Sequence, residues 1–140
     1  MSDKIHLQIV TSAGVVLDRM VSSVHLPLTD GGITILGDHA PMMGAVADGV
    51  VTCDGADGED AVAVGVGVVH VADNEVTVLV RAAERGEDID VPRAEAAEHR
   101  AREHLEQKAK DLDAARAEAA LLRAIARQHA AQMVKKKRQY

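Results

Sequence analysis

Glycine and alanine divide this chain into two kinds of polymer. All 11 glycines and 17 of the valines precede residue 91, whereas residues 91–140 hold no glycine, 14 alanines, and only Val91 and Val134. Glycine with valine is the chemistry of turns and strands, and alanine with charged residues is that of helix. A β part must therefore come first and a helical part second, meeting at Glu84-Arg85-Gly86-Glu87-Asp88-Ile89-Asp90-Val91-Pro92-Arg93-Ala94.

At 140 residues the chain has room for one modest core and an appendage. Apolar residues make up 47%, yet Phe and Trp are absent and Tyr140 is the only aromatic. The core must be assembled from Val, Leu, Ile, Met and Ala, through many individually small contacts. No apolar run approaches the roughly 20 residues needed to cross a bilayer, and the first residues lack the pattern of a signal peptide. Cys53 has no partner for a disulfide or a thiolate metal cluster. The expectation is a soluble, intracellular protein in a reducing compartment.

Residues 1–90 carry 4 basic and 15 acidic side chains, and residues 91–140 carry 12 basic and 7 acidic. This asymmetry favours docking of the helical part on the β part or on an acidic partner, within the screening limit of a Debye length of about 10 Å.

Ile5, Leu7 and Ile9 alternate with His6 and Gln8, the period of a strand with one buried face. Further strand patterns run from Val21 to Leu28, Ile33 to Leu36, Val50 to Cys53, Ala61 to Gly65, Val66 to Val71 and Val76 to Val80. Turn chemistry separates them at Ser12-Ala13-Gly14, Asp30-Gly31-Gly32, Asp48-Gly49, Asp54 to Gly58 and Asp73-Asn74. Short strands at this spacing predict an all-β sandwich or barrel. Gly65-Val66-Gly67 opens like a dinucleotide fingerprint but lacks the last glycine and the following helix, so it is rejected.

Asp38-His39 pairs a carboxylate with an imidazole, but adjacent residues rarely converge on one substrate and no nucleophile stands at a recognisable motif nearby. A structural loop, with His39 bonded to backbone or to a partner, is the preferred reading, and no catalytic residue is expected. His6, His25, His39, His70, His99, His104 and His129 show no paired i, i+4 spacing, so no metal is expected.

Asp90 is suited to cap a helix and Pro92 to sit in its first turn. Small residues at Ala94, Ala97, Ala101, His104 or Leu105, and Lys108 mark one stripe, and Leu112, Ala115, Ala119, Leu122, Ala126, His129 and Met133 mark another. Two such stripes predict an antiparallel helix pair turning near Lys110-Asp111-Leu112-Asp113. That turn contains neither Gly nor Pro, so a continuous helix of about 65 Å is open to the same residues. A hairpin that only clamps and a hairpin that switches are both compatible with the spacing.

Arg123 and Arg127 share a helical face and call for anions, whether ligand, acidic protein or solvent counterions. No Walker loop is present, so a bound nucleotide would be held by arginines and helix-end amides without phosphoryl transfer. The run from Lys135 to Arg138 reads as a basic helix end rather than as evidence for nucleic acid.

Ile35-Leu36-Gly37-Asp38-His39-Ala40-Pro41, Asp48-Gly49, Asn74-Glu75-Val76-Thr77-Val78-Leu79 and Arg85-Gly86-Glu87-Asp88-Ile89-Asp90-Val91-Pro92-Arg93-Ala94, followed by an Ala/Arg/Glu hairpin, resemble the epsilon subunit of bacterial F-type ATP synthase over nearly the whole chain. The resemblance implies a ten-stranded β-sandwich over residues 1–87 and an antiparallel helical hairpin over residues 88–140. It implies a non-catalytic rotor subunit that contacts the gamma subunit, the polar loops of the c-ring and the catalytic beta subunits. Such a subunit couples proton translocation to ATP synthesis and inhibits hydrolysis when its helices extend. It would be peripheral, on the cytoplasmic face of the bacterial plasma membrane.

The phrase Ile89-Asp90-Val91-Pro92-Arg93-Ala94 resembles one with which some members bind regulatory ATP, with Glu84, Arg123 and Arg127 matching by position and Arg100 and Arg116 as further candidates. The same phrase also serves as a helix start. Gly31 to Asp38 departs from the family's Gly-Glu-x-Gly-x-x-Pro-Gly, which shifts expected c-ring contacts to Asp30 and Asp38, beside His39. Val80-Arg81 replaces the usual Ala-Asp. A free-standing ATP-sensing module is the alternative function.

Overall fold

The computed structural model describes residues 2–106 and 111–138. Ten strands come first: β1 (Ile5–Thr11), β2 (Gly14–Val21), β3 (Ser23–Leu28), β4 (Gly31–Leu36), β5 (Met42–Val46), β6 (Gly49–Gly55), β7 (Gly58–Val64), β8 (Gly67–Ala72), β9 (Glu75–Val80) and β10 (Ala83–Arg85). A 3-10 turn at Gly86–Asp88 leads to helices α1 (Val91–Glu106) and α2 (Asp111–Arg138). The strands hydrogen-bond in the order β10-β7-β6-β3-β5-β8-β9-β1-β2, with β4 on β3. The path folds over into a sandwich; every pairing is antiparallel except β1 with β9.

Alternation fixes the core. Ile5, Leu7 and Ile9 of β1 and Val76, Val78 and Val80 of β9 point inward, against Val24, Leu26, Val51, Val69 and Val71. A one-residue slip would turn each of these sets to solvent, so the register is strongly specified.

Seven strands are legible as apolar runs in the sequence; β2, β5 and β10 are not. In β2 a bulge at Val16, opposite the Ile9–Val10 step of β1, shifts the pairing, so Val15 is exposed while Leu17 and Val21 are buried. β5 holds Gly44, where a Cβ would lie 3.3 Å from Leu28. β10 has only three residues. The predicted run from Val21 to Leu28 is two strands, because the backbone N–H and the hydroxyl of Ser22 both donate to the Asp54 carbonyl and turn the chain from one sheet layer to the other. Gly67 is required where β8 begins, since a side chain there would run into the Leu79 carbonyl.

Asp90 caps α1: its Oδ1 accepts from the Arg93 N–H at 3.1 Å, and its carbonyl accepts from Ala94. α2 already includes Asp111-Leu112-Asp113, which the sequence reading places at the turn; Lys108 and Lys110 lie outside the described residues. The buried stripe also differs from the predicted one. Ala117, Ala124, Ala126, Ala130 and Ala131 are buried, whereas Ala115, Leu122, His129 and Met133 are exposed. α2 is pressed against α1, β6 and β7 at once, and only alanine-sized side chains permit that approach. Its larger apolar groups are turned outward. Ala130 and Ala131 join Ala61, Ala63, Ile89 and Ala94 in a second apolar cluster distinct from the sandwich core.

Candidate functional site

Where α2 crosses the end of β7, a cleft of about 220 Å³ opens between the hairpin and the sandwich. Ala63, Val64 and Gly65 form one wall and Ala82, Ala83 and Glu84 the other, with Arg123 and Arg127 reaching in from α2. Small residues at the end of β7 and around β10 leave the space, and the i, i+4 spacing puts both guanidiniums on one face. Arg127 is held by Glu84, with Nε–H donating to Oε1 at 2.9 Å and Nη2 to Oε2 at 3.5 Å. The pair is a two-toothed contact in a partly shielded setting, which gives it directional strength.

Of the residues singled out for nucleotide, the structure thus brings together Glu84, Arg123 and Arg127. Asp90 is engaged as the helix cap, and Ile89 and Ala94 are buried in the second cluster. Arg93 is exposed in the first turn of α1 and does not line the cleft. Arg100 and Arg116 face each other across a separate opening of about 460 Å³ between α1 and α2, lined also by Ala97, Ala101, His104 and Ala117.

The other candidates lie at the two ends of β4, with Asp30 before it and Asp38 and His39 after it. Asp38 has a left-handed backbone (φ 63°) and trades hydrogen bonds with Asn74, itself left-handed: the Asp38 N–H donates to Asn74 Oδ1 at 2.6 Å, and Asn74 Nδ2 donates to Asp38 Oδ1 at 3.1 Å. Lys4 Nζ lies 3.3 Å from Asp38 Oδ2. The Asn74 amide first, and then Lys4, hold the Asp38 carboxyl below its usual range. His39 Nδ1 meets the Ala40 carbonyl at 2.7 Å, the backbone bond expected for a structural loop. Asp30 is exposed at the β3–β4 turn.

Two polar clusters escaped the sequence reading because their members are far apart in the chain. His6 lies 2.7 Å from Asp18 and 3.3 Å from Glu75, and these two carboxylates, Asp18 foremost, raise its pKa. Asp60, only 12% exposed in its side chain, pairs with Arg85 at 3.0 Å and Arg19 at 3.4 Å. Alternation places His6 on an outer face but cannot say which carboxylates the neighbouring strands bring beside it. Among the described residues no group of three or more His, Cys, Asp or Glu is arranged to hold a metal ion.

These features define a class: a β-sandwich joined in series to a helical hairpin, with an arginine-bearing cleft at the junction. The family model for the β-sandwich domain of the ATP synthase delta/epsilon chain matches residues 4–86, and that for its long alpha-helix domain matches residues 87–132. The chain belongs to this family, on the side of the bacterial epsilon chains. It is 42% identical over 127 residues to the ATP synthase epsilon chain of Nitratidesulfovibrio vulgaris (strain DP4), covering 91% of this chain and 95% of that one. It is 41% identical over 128 residues to the epsilon chain of Moorella thermoacetica, covering 91% and 96%. The fold recurs in a chain of the mitochondrial ATP synthase of Euglena gracilis in rotational state 1, with a TM-score of 0.75 at 22% identity, covering 87% of this chain and 78% of that one.

Proposed function

We propose that this chain is a non-catalytic rotor subunit in the central stalk of an F-type ATP synthase, where it takes part in coupling proton translocation to ATP synthesis and restrains ATP hydrolysis. The observation that carries this reading is the match of both halves, in order, to one family whose members are named ATP synthase epsilon chains and are covered almost end to end. The sandwich would sit on the gamma subunit and on the polar loops of the c-ring, with Asp38 and His39 toward those loops and Asp30 at the opposite end of β4. No helix among the described residues is long and apolar enough to cross a membrane, so attachment would run through the complex. The subunit would lie on the cytoplasmic face of a bacterial plasma membrane.

The construction of the hairpin supports the regulatory half. Its docking surface is mostly alanine, which buries little area per residue, and is supplemented by the Glu84–Arg127 pair. Undocking would leave the sandwich core intact, so docked and extended states can lie within a few kcal/mol of each other. In the extended state Arg100, Arg116 and Arg123 would be free to meet acidic residues of a catalytic beta subunit. ATP would bias the equilibrium if it bound only the docked state. Arg123 and Arg127 would hold its phosphates, with Glu84 giving up Arg127 as they arrive, and the observed cleft supplies both guanidiniums in one place.

Association with a purified gamma subunit tests the rotor assignment: a stable complex supports it, and absence of binding rejects it. Calorimetric titration with ATP, with the Arg93→Ala, Arg127→Ala double variant as control, tests the ligand. Saturable heat that the double variant loses supports the latch, and no heat at millimolar ATP leaves the hairpin governed by protein partners.

A further inference from the structure

Three charged side chains point between the two layers of the sandwich at one edge. Arg19 lies opposite Leu7, Asp60 opposite Cys53 and Arg85 opposite Val62, and directly opposed residues share a face of the sheet with their core neighbours. The three side chains are 15%, 12% and 31% exposed. A single oxygen, Asp60 Oδ2, accepts from Arg85 Nη2 at 3.0 Å and from Arg19 Nη1 at 3.4 Å. Arg19 also donates to the Gly58 carbonyl at 3.0 Å, and Arg85 Nη1 lies 3.3 Å from Glu87. The network sits where β2 and β10, the two ends of the hydrogen-bonded strand path, come side by side.

Apolar side chains would close this edge at least as well, because a shielded ion pair returns little more than its desolvation costs. What the ion pair adds is direction. β10 has only three residues, and Ala82 and Ala83 give little bulk with which to fix its position on β7. Its start is tied by the Gly65 N–H, which donates to the Ala82 carbonyl at 2.8 Å, and its end by Arg85 on Asp60. That position matters because the strand has two faces. Glu84, opposite Ala63, looks out toward α2 and holds Arg127, while Arg85 looks in. A slip of one residue would turn Glu84 into the sandwich and move Gly86 from its place against Ala130 and Val134.

We infer that Asp60 is a register pin for β10: through Arg85 it keeps Glu84 and Gly86 where the hairpin docks, acting by way of the strand rather than by contact with α2. Asp60 is thus a positioning residue for docking, and the inner face of the sandwich has a say in the state of the helices outside it. This concerns the isolated chain and stands whether or not the hairpin regulates hydrolysis.

Amide hydrogen exchange on the full chain tests it, with residues 126–131 of α2 reporting on docking and β1 and β9 on the sandwich. Asp60→Asn keeps the shape of the side chain and removes its charge. The α2 amides should then exchange about two- to fivefold faster, the scale of one partly exposed ion pair, while β1 and β9 keep their wild-type rates. Arg85→Gln leaves Asp60 paired with Arg19 and should have the same effect, whereas Arg19→Gln leaves Asp60 on Arg85 and should have none. Arg127→Gln should speed α2 exchange in the wild-type chain but add little to Asp60→Asn, in which Glu84 is already displaced. If Asp60→Asn unfolds the sandwich, as β1 and β9 would reveal, the contrast between Arg85→Gln and Arg19→Gln decides. Equal acceleration by those two variants, wild-type exchange in Arg85→Gln, or full multiplication of the Asp60→Asn and Arg127→Gln effects would each overturn the pin.

Discussion

Gly86 sets how close α2 can come to the junction, and replacing it by alanine should loosen the hairpin while sparing the sandwich. A Cβ there would lie 2.5 Å from the Ala130 carbonyl oxygen, 2.7 Å from Val134 Cγ2 and 3.0 Å from the Ala130 carbonyl carbon. Two of those atoms are helix backbone and cannot rotate away, so α2 must shift as a body, and overpacking of this kind costs about 1–3 kcal/mol. Gly86 is not in the left-handed region, so alanine brings no backbone strain and restricts the unfolded chain, which by itself would stabilise by about 0.4–1 kcal/mol. The steric term wins. The net loss of about 1–2 kcal/mol lowers the ratio of docked to undocked hairpin about five- to thirtyfold. The assay is methyl NMR of Ala61, Ala63, Ala94, Ala130 and Ala131, which share one cluster in the docked state. Gly86→Ala should weaken the cross-peaks that Ala61 and Ala63 make with Ala130 and Ala131, while contacts among Leu7, Val69 and Val78 persist. Unchanged alanine cross-peaks together with a raised melting temperature would refute the steric reasoning.

Other outcomes follow from single contacts. Asp90→Ala removes the cap on the Arg93 N–H and should cost about 1 kcal/mol, seen as fraying of the first turn of α1 by amide exchange. His6 is raised by Asp18 and Glu75, so its contribution to stability is fully present below the unfolded value of 6.5 and is lost as pH rises through the higher folded value; His6→Gln should flatten the melting temperature across that window. Cys53 is buried, and burial pushes its thiol up to about 11, so it should resist a thiol reagent at neutral pH until the sandwich unfolds. Leu7→Ala, at a site with no solvent exposure, should cost about 2–5 kcal/mol in urea unfolding.

The division into strands and helices was legible because glycine and alanine are used so unevenly. The inward residues of β1, β6, β8 and β9 could be read because a half-buried strand shows its period. β2 could not, since its own bulge at Val16 breaks the alternation, and β10 is too short to show any period. On α2 the apolar stripe through Leu122 and Met133 misled, because the length of a side chain, not its polarity, decides what fits between one helix and two strands. The cap at Asp90 and the arginine pair on α2 were local and therefore visible. Glu84 and Arg127 were named together only through family likeness, as candidates for a nucleotide, and their ion pair was not foreseen; the Asp38–Asn74 exchange and the Asp60 network depend on sheet register, which one-dimensional spacing does not carry.

The most direct measurement is the rate of ATP hydrolysis by a catalytic core of alpha, beta and gamma subunits, with either the full chain or residues 1–87 added to saturation. The sandwich has its own apolar core apart from the hairpin cluster, so the shortened chain retains the surface proposed for gamma. The expected result is equal binding of both, with hydrolysis slowed several-fold by the full chain and unaffected by the shortened one. Equal hydrolysis with the two chains, both bound, would contradict a regulatory hairpin, and failure of both to bind would contradict the rotor assignment itself.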